Sequence, residues 1–538
     1  MDTYNIISPK LEVREPNKAN IDVLKLTVQK INNKIDLEKN SFSKQDYSSY
    51  KVKINQINKN INLLSIDLNN YKKTNSIKKI LDEIREIQLE IMPSRTVETR
   101  GLYIDTDNIP TTKPEITKLI KEIKYANFNV IYPEVFRRGY TIFNNNIADT
   151  EQRFKDTNFN VLDFLISEAH KNNIDVYPWI WTFRVKSPLY SDYFLKKYPD
   201  LIAKRKVMKF EHREPLFLSP ASPQARNLIL KLLRVLTINY DIDGLLLDYI
   251  RYDETLSYDT ITERNFKDYY YQKYNKLVPD DINNNPELLK ELQFWREEQV
   301  TTLVKTANLM LKNIKPEMKI GVAIFRTEKE GRLLKMQDWR HWANNNYINF
   351  VCPMLYTDQV KDLNDWINSE TDKNTRFDYL YPSLGAHRFY KADDIYPLIG
   401  LLHQRNVAGF NIFSLEHIGR ENLPDLRKSI FKNIALIPEK NITKTLDYMV
   451  NNLSYKLEES NYKKFNIVKF KNLIKKKSYE NIIKESEILY KDFSNNAYIL
   501  DDLNYFIKII KTEQRIESSK NNYIKPTEPP LPIYPLNN

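Results

Sequence analysis

The sequence predicts an α/β protein: a (β/α)8 TIM barrel with helical N- and C-terminal flanks. Three observations lead there. Short β-branched and aromatic runs alternate with amphipathic helical stretches through the middle of the chain, the pattern of parallel strands joined by crossover helices. All nine glycines fall between Gly101 and Gly419. Backbone that turns tightly or approaches another chain closely needs glycine, so flanks of about a hundred residues without it read as helices and polar connectors. No Gly-x-Gly-x-x-Gly turn follows any strand-like run, which disfavours an open, doubly wound sheet.

Residues 1–98 read as a helical N-terminal arm. Val23, Leu24, Leu26, Val28 and Ile31 recur near the helical period, as do Ile80, Leu81, Ile84, Ile87 and Leu89. Residues 99–430 read as the barrel. Its strand-like runs are Gly101–Asp105, Asn129–Pro133, Asp175–Trp181, Gly244–Asp248, Lys319–Phe325, Asn349–Leu355, Tyr379–Leu384 and Gly409–Phe413. Helical patterns between them include Glu115–Tyr125, Val161–Lys171, Pro223–Tyr240, Glu291–Ile314 and Lys391–Gln404. Eight units in roughly 320 residues suit a closed barrel with some long loops. Residues 431–524 carry helical runs at 444–457, 465–475, 478–492 and 499–513, which look like antiparallel pairs. The tail, 525–538, holds five prolines between Pro526 and Pro535 and is expected to be extended. Neither flank shows catalytic spacing, so both read as packing helices or as surfaces for a protein partner.

Composition narrows the chemistry. A chain of 538 residues is longer than one hydrophobic core usually serves. The formal net charge of +12 reads as lysines coating exposed helices. With no dense arginine run, zinc-finger spacing or aromatic nucleic-acid motif, a nucleic-acid partner is not expected. The one cysteine, Cys352, excludes an internal disulfide and a cysteine-rich metal site. The six histidines form no His-x-His, His-Glu-x-x-His or His-x-x-Glu-His, which argues against a metal-dependent amidohydrolase. No metal or cofactor is therefore expected. No apolar stretch is long enough for a membrane span. The opening Met1-Asp2-Thr3-Tyr4-Asn5 lacks a basic start followed by an apolar run, so no signal peptide is read there.

In a parallel barrel the chemistry sits at the C-terminal ends of the strands. The residues just after each run are Asp105 and Asp107; Glu134 with Arg137 and Arg138; Trp179 and Trp181, then Arg184; Asp248, then Tyr249, Arg251 and Tyr252; Arg326; Tyr356 and Asp358; His387 and Arg388; and Ser414 and Glu416. Glycosidic cleavage needs paired carboxylates, one to protonate the leaving oxygen and one to attack the anomeric carbon or activate water. Aromatic faces stack on sugars, and Arg and His bind sugar hydroxyls or carboxylates. Asp248 has the strongest local signal: a buried apolar strand delivers it to its end, with Arg251 three residues on to hold it ionised. Asp243, at the opposite end of that strand, reads as structural. Glu416 is the first choice for the acid/base partner, because strands four and eight face each other across the barrel; Asp358 is the second. Asp105, Glu134, Arg137, Trp179, Trp181, Tyr249, Arg251, Arg326, Tyr356 and His387 are the expected substrate contacts.

The run Tyr240-Asp241-Ile242-Asp243-Gly244-Leu245-Leu246-Leu247-Asp248-Tyr249-Ile250-Arg251-Tyr252, with Ser219-Pro220-Ala221-Ser222-Pro223 and a helix before it, resembles the glycosyl hydrolase-like 10 family of bacterial barrel proteins. Shorter matches are Arg100-Gly101-Leu102-Tyr103, Arg138-Gly139-Tyr140, Pro178-Trp179, Trp295-Arg296, Pro353-Met354-Leu355-Tyr356 and Phe413-Ser414. The resemblance covers about residues 99–420 and not the flanks. It implies a barrel, glycoside hydrolysis with bacterial glycans such as peptidoglycan as substrates, a key carboxylate at Asp248, and a place in the bacterial cell envelope. Many members have a second Asp where this chain has Tyr249, and a Gln where it has Met354. The expected function is a glycoside hydrolase acting on a bacterial cell-envelope polysaccharide. The competing one is a non-catalytic glycan-binding or cell-envelope scaffold on the same barrel, and the two differ at the second carboxylate.

Overall fold

The structure, a computed structural model, describes residues 4–6, 18–39, 47–66, 74–186, 193–203, 216–253, 259–279, 285–370, 379–493 and 496–521. The proline-rich tail lies outside the described residues.

Eight parallel strands close on themselves: β1 (Thr99–Ile104), β2 (Val130–Arg137), β3 (Asp175–Val176 and Trp179–Trp181), β4 (Gly244–Asp248), β5 (Lys319–Ile324), β6 (Phe350–Leu355), β7 (Tyr379–Leu380 and Ser383–Gly385) and β8 (Gly409–Phe413). Closure is made by β8 lying parallel to β1, with Gly409 opposite Thr99 and Asn411 opposite Gly101. Every expected run holds a strand. β3 and β7 are each interrupted at a proline, Pro178 and Pro382, because proline has no N–H to give the ladder. Their carbonyls still accept from Leu246 at 3.0 Å and from Asn411 at 2.9 Å. β2 runs past its expected end to Arg137, through an irregular register against β3 and a short antiparallel return at Tyr140–Thr141.

The strands are buried on both faces, as a helix-wrapped barrel requires. Outward residues such as Leu102, Ile131, Leu245, Leu247, Val322 and Ile412 pack with Ile116, Leu119, Leu165, Leu228 and Val304 of the surrounding helices. Caps start those helices where the sequence breaks: the Asn160 side chain accepts from Asp163 N at 3.1 Å and Ser222 Oγ from Ala225 N at 3.2 Å, each satisfying an otherwise orphaned donor. Inward residues are mostly aromatic, among them Tyr103, Tyr132, Tyr177, Trp179, Phe350 and Tyr381. Gly321 is the cost of that choice, since a Cβ there would lie 2.0 Å from the Phe350 ring.

The inward layer continues into the C-terminal helices Ile442–Glu459, Ile467–Lys475, Tyr479–Asp492 and Ala497–Asn521, whose Leu446, Val450, Phe470, Ile482, Phe506 and Ile510 belong to the same cluster. The Tyr505 hydroxyl donates to Val97 O at 2.9 Å and that of Tyr381 to Glu439 at 2.5 Å. These helices thus close the end of the barrel opposite its mouth. Beside them, buried Glu98 accepts from Arg100 at 2.9 Å and from His403 Nε2 at 2.5 Å, while the Tyr4 hydroxyl lies 2.6 Å from His403 Nδ1. The N-terminal helices Lys18–Lys39, Ser48–Ile66 and Thr74–Ile91 share a separate core of Leu24, Val28, Ile54, Ile61, Ile84 and Ile87. Arg85 ties them to the barrel through Asp393 at 2.7 Å and Asp425 at 2.8 Å. Among the described residues no helix is long and apolar enough to cross a membrane.

Candidate active site

Side chains alternate along a strand, so Gly244, Leu246 and Asp248 of β4 face the barrel axis and Asp248 emerges at its mouth. Its Oδ2 accepts from Trp179 Nε1 at 3.0 Å and its Oδ1 from the Tyr249 backbone N–H at 2.6 Å. Tyr249 takes a left-handed conformation, φ +48°, which turns the chain out of the strand and brings its amide back onto the preceding carboxylate. Burial raises the proton affinity of Asp248; Arg251, the two hydrogen bonds and Arg184 work against that.

Aromatic rings from five strands or strand ends floor the mouth. Trp179 meets Tyr103 and Phe413 edge-on at 5.2 and 5.7 Å. Phe413 stacks on Tyr356 at 5.3 Å, and His387 lies 5.0 Å from Tyr356 and 5.3 Å from His417. Burial lowers the proton affinity of His387, helped by His417 and Arg388, so the imidazole is biased to its neutral form.

On the β1–β8 side the Ser414 hydroxyl donates to Asp105 at 2.5 Å and lies 3.0 Å from His417 Nδ1. With its single proton on Asp105, Ser414 accepts from the imidazole N–H. Burial raises Asp105; the Ser414 bond opposes this, and the Glu416 charge adds to it. Glu134 is buried and accepts from the Thr106 backbone N–H at 2.9 Å and hydroxyl at 2.8 Å. Burial pushes it up to about 7 against the pull of Arg137 and Thr106.

The other expected residues divide. Trp181 packs on Tyr249 at 4.8 Å, the Arg184 guanidinium lies 4.9 Å from both ring centroids, and that of Arg251 lies 4.5 Å from Tyr249. Arg137 is engaged as a brace, reaching Asp107 at 2.8 Å and Glu151 at 3.1 Å. Arg326 pairs with Glu330 at 2.7 Å and lies over Trp366. Glu416 and Asp358 are exposed; Glu416 sits on the short helix Leu415–Ile418, and Asp358 accepts from Gln359 at 2.9 Å. Tyr103, Phe413, Ser414, His417, Thr106 and Arg184 join the mouth without having been selected as contacts. The inward parity of Tyr103 and Phe413 on their strands was the signal available for those two.

A closed (β/α)8 barrel whose mouth carries several carboxylates over an aromatic floor is a barrel of the glycoside-hydrolase type. This chain belongs to the glycosyl hydrolase-like 10 family, whose model matches residues 97–378. The glycosyl hydrolase YngK of Bacillus subtilis (strain 168) is 23% identical over 277 residues, 46% of this chain and 50% of that protein. The glycosyl hydrolase DigH of Escherichia coli (strain K12) is 19% identical over 219 residues, 37% of this chain and 46% of that protein. The chain therefore spans about half the length of the curated relatives it matches. Among solved structures, the glycoside hydrolase domain of PgaB (BpsB) from Bordetella bronchiseptica has the same fold, with a TM-score of 0.50 and 15% identity over 63% of this chain and 99% of that domain.

Proposed function

We propose that this chain is a glycosidase cleaving a bacterial cell-envelope polysaccharide, such as a peptidoglycan-like glycan, by a two-carboxylate mechanism. The observation that carries this reading is Asp248: a carboxylate at the end of β4, held by two donors, whose proton affinity is raised by burial against the opposing pull of Arg251 and Arg184, above rings suited to stacking on a sugar. Ionised, Asp248 attacks the anomeric carbon or stabilises the positive charge that develops there. Glu416 is the first choice for the acid/base and Asp358 the second. Trp179, Trp181, Tyr249, Tyr356 and His387 supply the sugar contacts. Asp105 and Glu134, both raised by burial, can hold a proton beside them.

The test is digestion of purified peptidoglycan and other envelope glycans by wild type and Asp248→Asn. Wild type is expected to release product, and the variant to be slower by at least about a hundredfold. Equal rates would remove Asp248 from the chemistry. No release from any glycan by wild type would favour the binding scaffold.

A further inference from the structure

Three donors beside Asp248 have no hydrogen-bond partner among the described residues. Arg184 gives Nη1 to the Tyr249 hydroxyl at 2.8 Å, but its Nε is buried without a hydrogen-bond partner. The same is true of Arg251 Nη1 and of Trp181 Nε1, on an indole that is only 8% exposed. The three groups form one layer at the adjoining ends of β3 and β4, since Arg184 lies over both the Trp181 and Tyr249 rings and Arg251 lies over Tyr249.

Buried N–H groups without acceptors are costly, most of all on a charged group, and native structures leave few of them. Asp248 does not meet the need: it accepts from Trp179 and Tyr249, and it acts on the two arginines only through its charge, with no hydrogen bond to either. Among the described residues these two guanidiniums hydrogen-bond no carboxylate, and Tyr249 offers them a ring and a hydroxyl but no counter-charge. A guanidinium lying over a ring keeps its N–H edge available in its own plane, where it matches the two oxygens of a carboxylate. A neutral sugar hydroxyl could satisfy the Trp181 N–H but would leave the positive charge uncompensated.

We propose that Trp181, Arg184 and Arg251 form a subsite for the carboxylate of an acidic sugar residue, bound next to the bond that Asp248 addresses. This rests on the glycan reading of the mouth and names the substrate class within it. The carboxylate could belong to the sugar ring, as in a uronic acid, or to an ether-linked acid arm, as in N-acetylmuramic acid.

The test is a ligand-observed NMR titration of the full chain at low salt with glucuronate against glucose, and with N-acetylmuramate against N-acetylglucosamine. At least one acidic sugar is expected to bind about tenfold or more tighter than its neutral counterpart. Which pair shows the preference tells a ring carboxylate from an ether-arm one. Arg251→Gln and Arg184→Gln should each remove most of that preference, read as the ratio of acidic to neutral sugar affinity within the same variant. Arg251→Lys, which keeps the charge but not the fork, should lose much of it. Equal binding of acidic and neutral sugars by wild type would overturn the subsite and leave the glycan site standing. So would displacement of the acidic sugar by inorganic sulfate more readily than by acetate. If no sugar binds and no glycan is cleaved, the glycan reading falls with it.

Discussion

The Trp179 indole N–H donates to the Asp248 carboxylate at 3.0 Å, while the same ring is wedged edge-on between Tyr103 and Phe413. One side chain thus both fixes the carboxylate and ties it to the rings that floor the mouth. Its donor favours the ionised form of Asp248, and its packing fixes where that form points.

Replacing Trp179 by Phe keeps a ring against Tyr103 and Phe413 and removes the donor. Because this hydrogen bond lowers the proton affinity of Asp248, its loss raises that affinity. The acidic limb of the kcat/KM profile should move to higher pH, since Asp248 must be ionised to act. A pH–rate series on wild type and Trp179→Phe, with thermal unfolding measured alongside, checks this. An unshifted acidic limb in a folded variant would mean that another group sets it.

At the opposite end of the barrel, Glu98 and Arg100 are both fully buried and paired at 2.9 Å. Glu98→Gln leaves the Arg100 charge without its partner and should cost about 3–5 kcal/mol of stability, read from the midpoint of denaturant unfolding. Burial works to raise Glu98, but His403 and Arg100 outweigh it and hold the carboxyl at about 2. Burial also pulls His403 below its ordinary range. Both groups are therefore depressed in the folded state, so at acid pH the unfolded chain binds more protons. Stability should decline as pH falls below the ordinary imidazole value of about 6.5, and again below the ordinary carboxylate value of about 4.3. His403→Gln should flatten the first of these declines.

Gly321 faces the Phe350 ring across the β5–β6 pair, and a methyl there would fall 2.0 Å from it. Gly321→Ala should therefore destabilise by about 1–3 kcal/mol through overpacking. Coupling it with Phe350→Leu, which opens room, should recover part of the loss. A double-mutant cycle measured by thermal unfolding would show that coupling.

The barrel was legible because short β-branched and aromatic runs alternate with amphipathic helical stretches; β4 and β8 begin and end where their sequence runs do. β2 ran past its expected end because Glu134, Val135 and Phe136 stay paired through an irregular register against β3, which local alternation does not reveal. Helix Ser48–Ile66 was not singled out, although Ile54, Ile57, Ile61 and Leu64 follow the helical period. In the mouth, Asp248 was legible as the end of an apolar run. The Asp105–Ser414–His417 group was not, because Asp105 and Ser414 meet only when β8 pairs with β1 and closes the barrel. Arg137 had the sequence position of a sugar contact, but its partners Asp107 and Glu151 reach it only through the folded loops.

Glu416 and Asp358 can be told apart by what each carboxylate does. If Glu416 is the proton donor, Glu416→Gln should slow release from a natural glycan by about 10²–10⁴-fold but slow an aryl glycoside far less, since an activated leaving group needs no proton. Asp358→Asn should then leave both rates near wild type. The Glu416 substitution has a second readout. Burial is the main cause that raises the proton affinity of Asp105, and the Glu416 charge adds to it, so neutralising Glu416 lowers that affinity. A pH-dependent step that relies on protonated Asp105 should therefore shift to lower pH in Glu416→Gln and stay put in Asp358→Asn. The reverse pattern, with Asp358→Asn carrying the leaving-group dependence, would move the acid from the end of β8 to the end of β6. The stereochemistry of the first-formed product adds an independent constraint: retention requires the chosen carboxylate about 5 Å from Asp248, and inversion about 6.5–9.5 Å.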